Sequence, residues 1–284
     1  MLFEVTHVTT YHYSRPVFLE PHTLRFHPRN DGQQRVDRFE LAVNPRPDVM
    51  TECLDYEGNV VTEVWFGNLT EAFEVTVKFA VETLRRDPFD YLLAPAAAKL
   101  PMHYPKEAGP SLVPYLECTS VDGSVTDFAQ SVAHQAEEET VPFLFLLTQQ
   151  IHNVCRNVIR QDGDPLPAAV TLAAREGSCR DLTVLFMDAC RTQGIASRFV
   201  SGYQEGVSGL SERDLHAWAE VYLPGGGWRS YDPTLGLAVS DRHIAVAASR
   251  KSHGAAPITG TFRGTEARTQ MASRIELAVT ASSP

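Results

Sequence analysis

The sequence is short of several features that mark specialised classes of protein. Its five cysteines are an odd number without a C-x-x-C pair, so neither a disulfide framework nor a cysteine-rich zinc site is predicted. Basic residues are outnumbered, 25 Lys and Arg against 35 Asp and Glu. The net charge of -10 argues against a protein that binds nucleic acid or an anionic membrane. Four histidines within residues 7–27 match no ligand spacing, so no metal site or cofactor is predicted.

Neither a membrane span nor a secretion signal is predicted. The first five residues contain neither a basic stretch nor an apolar one, so no signal peptide is expected there. The longest uncharged stretch of note, residues 140–155, is interrupted by Gln, His and Asn and is too short to cross a bilayer. Unpaired thiols fit a reducing compartment. We therefore expect a soluble cytoplasmic protein without membrane partners.

What the sequence contains is a change of hydrophobic period along the chain. Residues 1–95 hold β-branched and aromatic stretches, several of alternating polarity, which predict an antiparallel β domain. Residues 96–125 are rich in proline and predict a linker on the surface. Residues 126–264 combine helical and strand-like stretches, and residues 265–284 would form a C-terminal strand or tail. The predicted fold class is α+β.

The first segment with candidate catalytic residues surrounds Cys179. Ser178 and Asp181 resemble a capping box and an apolar helical stripe follows, so a helix is predicted from about Cys179 to Gln193. In the first turn of a helix, free N–H groups and the dipole favour a thiolate and can stabilise an oxyanion. Taken alone, the segment fits a small buried cysteine equally well.

The second segment, residues 214–222, reads as a strand with one polar, aromatic face and one apolar face. The polar face carries Asp214, His216 and Trp218, and the apolar face would pack on the helix. His216 is the base that a nucleophilic thiol requires. A lone strand histidine is more often a residue that faces solvent.

The third segment would return antiparallel after a glycine-rich turn and end at Asp232. In an even register Asp232 lies opposite or diagonal to His216 on the same face, where a carboxylate can fix the imidazole tautomer. A slip of one residue would separate the two side chains, and an Asp before Pro233 also fits a simple turn. Together Cys179, His216 and Asp232 form an arrangement of nucleophile, base and orienting carboxylate.

These three segments resemble the core motifs of the transglutaminase-like superfamily. The matching stretches are Gly-Ser-Cys-Arg-Asp at 177–181, residues 214–222, and Gly-Trp with Asp-Pro-Thr within 227–234. The chain is most similar to a bacterial group usually described as candidate cysteine proteases. Residues 1–95 resemble the β-rich N-terminal region of that group, and residues 241–244 and 262–264 resemble its tail.

The resemblance implies a papain-like core with Cys179 as nucleophile, His216 as base and Asp232 as orienting residue. It implies an amide hydrolase, a peptidase or amidase acting on a peptide or protein amide through an acyl-thioester. Transfer of the acyl group to an amine, and a non-catalytic peptide-binding module, are the alternatives. No oxyanion side chain is assigned, because the segment after the first core helix lacks the aromatic residues that members often carry. Four residues are candidates for the substrate cleft: Tyr203, Asp214, Trp218 and Trp228.

Overall fold

The computed structural model describes residues 1–118, 123–160, 163–206 and 214–280. Small parts of the predicted linker, core and tail lie outside the described residues. The fold of the described residues is α+β, with an antiparallel β region first and a mixed helix-and-sheet core after it, as the sequence predicts. No helix in the described ranges is both long and apolar enough to cross a membrane.

Alternating polarity shapes the N-terminal region, because successive side chains of a strand point to opposite faces of its sheet. Its six strands are β1 (Leu2–Leu19), β2 (His22–Leu24), β3 (Gln34–Asn44), β4 (Val49–Leu54), β5 (Val60–Trp65) and β6 (Leu69–Thr83). Strands β1, β6 and β3 lie side by side in one sheet, and β2, β5 and β4 in another. Phe3, Phe73 and Phe79 from the first sheet are fully buried in the shared hydrophobic core.

The described residues after the N-terminal region include five helices. They are α1 (Gly109–Leu112), α2 (Gly123–Gln135), α3 (Thr140–Val154), α4 (Ala168–Ala174) and α5 (Cys179–Thr192). Single 3-10 turns occur at Pro95–Ala97, Val113–Tyr115 and Ser252–Ala255. Helix α5 is the centre of the core, because every residue from Asp181 to Arg191 is buried. The predicted linker is more than a surface connection, since Ala97, Leu100 and Met102 pack into the same core.

The core sheet lies against α5. Its strands are β9 (Ser197–Gln204), β10 (His216–Leu223), β11 (Gly227–Asp232), β12 (Leu237–Ala238) and β13 (His243–Ser249), and a short parallel pair, β7 (Arg156–Asn157) and β8 (Glu176–Gly177), precedes α5. The sheet order is β12-β11-β10-β9-β13, and all neighbours are antiparallel. Ala217, Ala219, Val221 and Leu223 of β10 face the helices, as the alternation predicts.

The last strands return to the N-terminal region. They are β14 (Ile258–Thr259), β15 (Phe262–Arg263) and β16 (Thr269–Thr280). Strand β14 pairs with β2, whereas β15 and β16 pair with β1, from Leu2 opposite Thr280 to Tyr13 opposite Thr269. The chain therefore pairs with the N-terminal region from residue 258 onward, whereas the sequence prediction places residues up to 264 with the core. This pairing is nonlocal: one edge of β1 pairs with β6, and the other edge pairs with β15 and β16.

The polar face of β10 is covered by the N-terminal region. Glu220 on this face is buried and forms ion pairs with Arg198 at 2.6 Å and with Arg29 at 3.3 Å. Trp218 is 1% exposed. A strand with two contrasting faces can thus be buried on both, because the β region supplies polar partners to one of them.

Candidate active site

Cys179 is the first residue of α5, at the position that the capping pattern predicts. Ser178 and Asp181 form the capping box, and the carboxylate of Asp181 accepts hydrogen bonds from the backbone N–H and the hydroxyl of Ser178, both at 2.7 Å. The other carboxylate oxygen of Asp181 accepts from Leu166 N–H at 2.7 Å and from Arg160 at 2.6 Å. A buried carboxylate with four donors makes a rigid helix start, and Cys179 remains partly exposed there.

His216 is the first residue of β10 and connects Cys179 to Asp232. Its Nε2 donates to Asp232 Oδ2 at 2.7 Å, and its side chain is 15% exposed. The Cys179 side chain is hydrogen-bonded to the same imidazole. Because Nε2 is occupied by the carboxylate, Nδ1 is the atom left for the thiol. The structure thus brings the three residues of the predicted triad into one connected chain.

Asp232 is buried with all four of its acceptor positions in use. Oδ1 accepts from the backbone N–H groups of Thr234 at 2.9 Å and Leu235 at 3.1 Å. Oδ2 accepts from His216 at 2.7 Å and from His243 at 3.0 Å. The turn interpretation and the orienting interpretation of Asp232 are therefore compatible, since each uses a different oxygen.

The register of the hairpin explains why His216 and Asp232 meet. Ala219 lies opposite Tyr231, so one step further along the ladder Asp232 lies opposite Trp218 and diagonal to His216. This is the even register that the sequence argument required, and it places both side chains on one face.

Charge pairing dominates the electrostatics of the site. Burial alone lowers the pKa of His216, but the charge and hydrogen bond of Asp232, together with Cys179, outweigh it and raise that pKa to about 10. Burial alone raises the pKa of Asp232, yet His216 and His243 hold it well below its ordinary value. At neutral pH the base is therefore an imidazolium beside a carboxylate.

The four predicted cleft residues lie in different places. Asp214 is exposed just before β10, as a cleft residue would be. Trp228 sits at the far end of β11 from Asp232, with the Arg198 guanidinium 4.1 Å above its ring. Trp218 packs edge-on against the His243 ring beneath the surface.

Tyr203 is the clearest correction among these predictions. It is 1% exposed, belongs to the core of the N-terminal region, and its hydroxyl is hydrogen-bonded to His7 Nδ1 at 2.9 Å. The reason is that β9 is covered on this face by β1 and its neighbours, so a strand residue near the site does not reach an open cleft.

His243 is a member of the site for which the sequence predicts no role. It begins β13, on the opposite side of β9 from β10, so no local spacing links it to Asp232. Its sequence signals are its place in residues 241–244, which resemble the tail of the bacterial group, and its position at the head of a mostly apolar strand. The side-chain nitrogens of His216 and His243 and the carboxylate of Asp232 lie within 4.8 Å of one another. Both imidazoles donate to the carboxylate.

Comparison with known proteins finds matches to two family models. Residues 3–82 match the model of the bacterial transglutaminase-like N-terminal region, and residues 126–233 match that of the transglutaminase-like superfamily. The uncharacterized protein Rv2569c of Mycobacterium tuberculosis is 24% identical over 273 residues, which cover 91% of this chain and 86% of that protein. A protein-glutamine gamma-glutamyltransferase of Pseudomonas aeruginosa is 35% identical over 71 residues, only 22% of this chain and 11% of that protein.

The fold has a solved counterpart. The structure described as a "Putative Cysteine Protease from Cytophaga hutchinsonii" has a TM-score of 0.72 at 20% identity and covers 100% of this chain and 93% of that one. At this identity the likeness concerns the fold, and it extends over both the β region and the core. The chain therefore contains a bacterial transglutaminase-like N-terminal region at residues 3–82, followed by a transglutaminase-like superfamily core at residues 126–233.

Proposed function

We propose that this protein is a cysteine-dependent amide hydrolase that forms an acyl-thioester on Cys179. The observation that carries the proposal is the connected chain from the Cys179 thiol through His216 to the buried carboxylate of Asp232. A helix-start thiol needs such a base to act as a nucleophile, and a binding module needs none.

The reaction would have two steps. The Cys179 thiolate attacks the carbonyl carbon of a peptide or protein amide, the C–N bond breaks, and the His216 imidazolium gives its proton to the leaving amine. Water then attacks the thioester while His216 takes a proton from it, which releases the acid and restores the thiolate. Asp232 keeps the imidazole oriented and supports its positive charge in both steps.

The first turn of α5 would stabilise the tetrahedral intermediate. The first N–H groups of a helix have no acceptor within the helix, and they are the nearest donors to a carbonyl attacked by its first residue. The buried capping box of Ser178 and Asp181 keeps this turn rigid, so the donors are in place before the substrate arrives.

Acyl transfer to an amine is the second candidate. It is favoured by the partial match to the Pseudomonas protein, whose name describes that reaction. The two reactions share the acyl-enzyme and differ only in whether water or an amine attacks it, so one experiment addresses both.

The experiment follows the acyl-enzyme by intact mass spectrometry. The wild type and Cys179→Ala would be mixed with activated glutamine and peptide esters, with and without a primary amine. The matched control is Cys53→Ala, which removes an exposed cysteine on β4. We expect an adduct on the wild type and the control but not on Cys179→Ala, and release of free acid even when amine is present. Release mainly as the amide would favour acyl transfer.

The binding-module alternative has its own readout. A Cys179 thiol that reacts with iodoacetamide near pH 6 no faster than free cysteine, together with no adduct on the wild type, would contradict the enzymatic proposal.

A further inference from the structure

The proposal concerns His243, which shares the Asp232 carboxylate with the base. His243 is 5% exposed, and its Nε2 lies 3.0 Å from Asp232 Oδ2. The same oxygen accepts from His216 Nε2 at 2.7 Å. One carboxylate oxygen therefore lies between two imidazoles, and only one of these belongs to the expected triad.

The geometry defines which nitrogen of His243 carries the hydrogen. The ionised Asp232 can only accept, so Nε2 of His243 must donate. Burial, together with the charge of His216, holds the pKa of His243 below its ordinary value although Asp232 opposes this, so the ring is neutral. A neutral imidazole that donates through Nε2 has a bare Nδ1, which is an acceptor.

A small polar cavity lies behind the ring. Its volume is about 20 Å³, which is enough for one water molecule. Its wall is formed chiefly by Asp31, Gln34, Trp218, Glu220, Ser230 and His243. Within the described residues, His243 Nδ1 and Trp218 Nε1 are both buried without a hydrogen-bond partner. One water in this cavity can donate to the imidazole nitrogen and accept from the indole N–H.

We propose that His243 is a positioning residue for Asp232, held in its donating tautomer by a water that bridges it to Trp218. The inference rests on the proposed function and adds a fourth member to the chain of Cys179, His216 and Asp232. His243 touches no reacting atom; it acts through the carboxylate that orients the base.

The consequence for catalysis follows from the sharing of Oδ2. When His243 donates to Oδ2, its hydrogen bond stabilises part of the negative charge of the carboxylate. The carboxylate then stabilises the His216 imidazolium less, which moderates the basicity of His216. Without that donor, His216 alone compensates a fully buried oxygen, so it holds its proton more tightly and gives it less readily to a leaving amine. Asp31 and Glu220, the acidic groups on the far side of the cavity, remain in place in either case.

The test compares His243→Leu, which removes the donor, with His243→Gln, whose amide nitrogen can restore it. The control is His134→Leu, at a histidine whose side chain is 77% exposed on α2. For the leucine variant we expect kcat to fall about tenfold with little change in KM, and the alkaline limb of the profile to move up by about one pH unit. The glutamine variant should recover most of both effects. Equal losses in both variants with no shift of the limb would show that the ring is only a packing element.

A second readout does not depend on activity. The ring nitrogens of His216 can be titrated by 15N NMR in the folded wild type and in His243→Leu, and we expect a higher midpoint in the variant. An unchanged midpoint overturns the proposal. If the wild type forms no acyl-enzyme, the proposed function fails while this titration still decides the role of His243. Should the leucine variant not fold, the wild-type 15N shifts of His243 decide: the Nε2–H form supports the proposal and the Nδ1–H form overturns it.

Discussion

Gln34 of the N-terminal region and Ala245 of strand β13 bind each other as two neighbouring residues of a sheet would. The Gln34 amide donates to the Ala245 carbonyl at 2.8 Å and accepts from the Ala245 N–H at 2.9 Å. The Gln34 amide also donates to Arg29 O at 2.6 Å. A single buried side chain thus joins the β region to the strand that begins with His243.

Replacing Gln34 should therefore weaken both the fold and the site. Gln34→Ala leaves the Ala245 N–H without its Gln34 acceptor, whereas the Ala245 carbonyl keeps its bond from the Arg29 N–H at 3.0 Å. We expect a loss of about 1 to 3 kcal/mol in the free energy of unfolding. The matched control is Gln33→Ala, whose side chain is only partly buried. Urea denaturation measures both variants, and equal stabilities would contradict the structural role assigned to Gln34.

Asp232→Asn should separate the two functions of this residue. The amide oxygen can still accept from Thr234 and Leu235, so the turn and the fold should persist. Its NH2 group would face the Nε2 atoms of His216 and His243, which must then give up their hydrogens and change tautomer. We expect turnover to fall by about 10³-fold or more in single-turnover acylation.

The pH profile of Asp232→Asn should show in which direction the loss of the Asp232 charge shifts the pKa of His216. The raised pKa of His216, about 10, depends on the charge of Asp232, so the alkaline limb should move to lower pH in Asp232→Asn. Turnover like that of the wild type, with an unmoved limb, would mean that Asp232 is only a turn residue.

His7 should make the protein sensitive to acid. Burial lowers the pKa of His7 to about 4, from an ordinary value of 6.5. Between these two values the unfolded chain binds a proton that the folded chain does not, so stability falls as the pH drops from 6.5 to 4. The contribution of this residue amounts to about 3 kcal/mol at most. Denaturation at several pH values should show a flatter dependence for His7→Gln, whereas the exposed His12→Gln should keep the slope of the wild type.

Gly202→Ala should disturb the junction between β9 and β13. A Cβ at this position would lie 2.0 Å from the Ile244 carbonyl oxygen and 2.8 Å from the Trp218 ring, so the strand after His243 must move. We expect a loss of about 3 kcal/mol in stability, together with lower activity. Gly32→Ala is the control, since nothing lies within 4 Å of its Cβ. Similar melting temperatures for the two variants would contradict this prediction.

Local signals were sufficient for the parts of the site that lie near one another in sequence. The capping residues predicted where α5 begins, and the short turn between β10 and β11 brought His216 and Asp232 to one face once the register was even. The helix start depends on hydrogen bonds within a few residues, and the shared face depends on side chains alternating between the two faces of a strand. They could therefore be read without knowledge of the rest of the fold.

The features that were missed depend on contacts between distant segments. Tyr203 was predicted as a cleft candidate, but it packs in the core of the N-terminal region and its hydroxyl is hydrogen-bonded to His7 of β1. His243 comes from a strand on the other side of β9, and no spacing in the sequence links that strand to Asp232. The polar face of β10 was noticed as unusual, and its cause is the N-terminal region that pairs with Glu220 through Arg29.

Because β1 pairs with β16, the core is inserted within the β region in sequence and is not a separate domain that follows it. During synthesis β1 leaves the ribosome before the core, and its partner strand β16 emerges only after the whole core has been made. One edge of β1 therefore stays open until β16 has been made, and closing it joins segments that lie far apart in the sequence, which is a slow kind of contact. A fragment intended to carry the core alone must end before β14, because any longer one exposes strands whose partners have been removed.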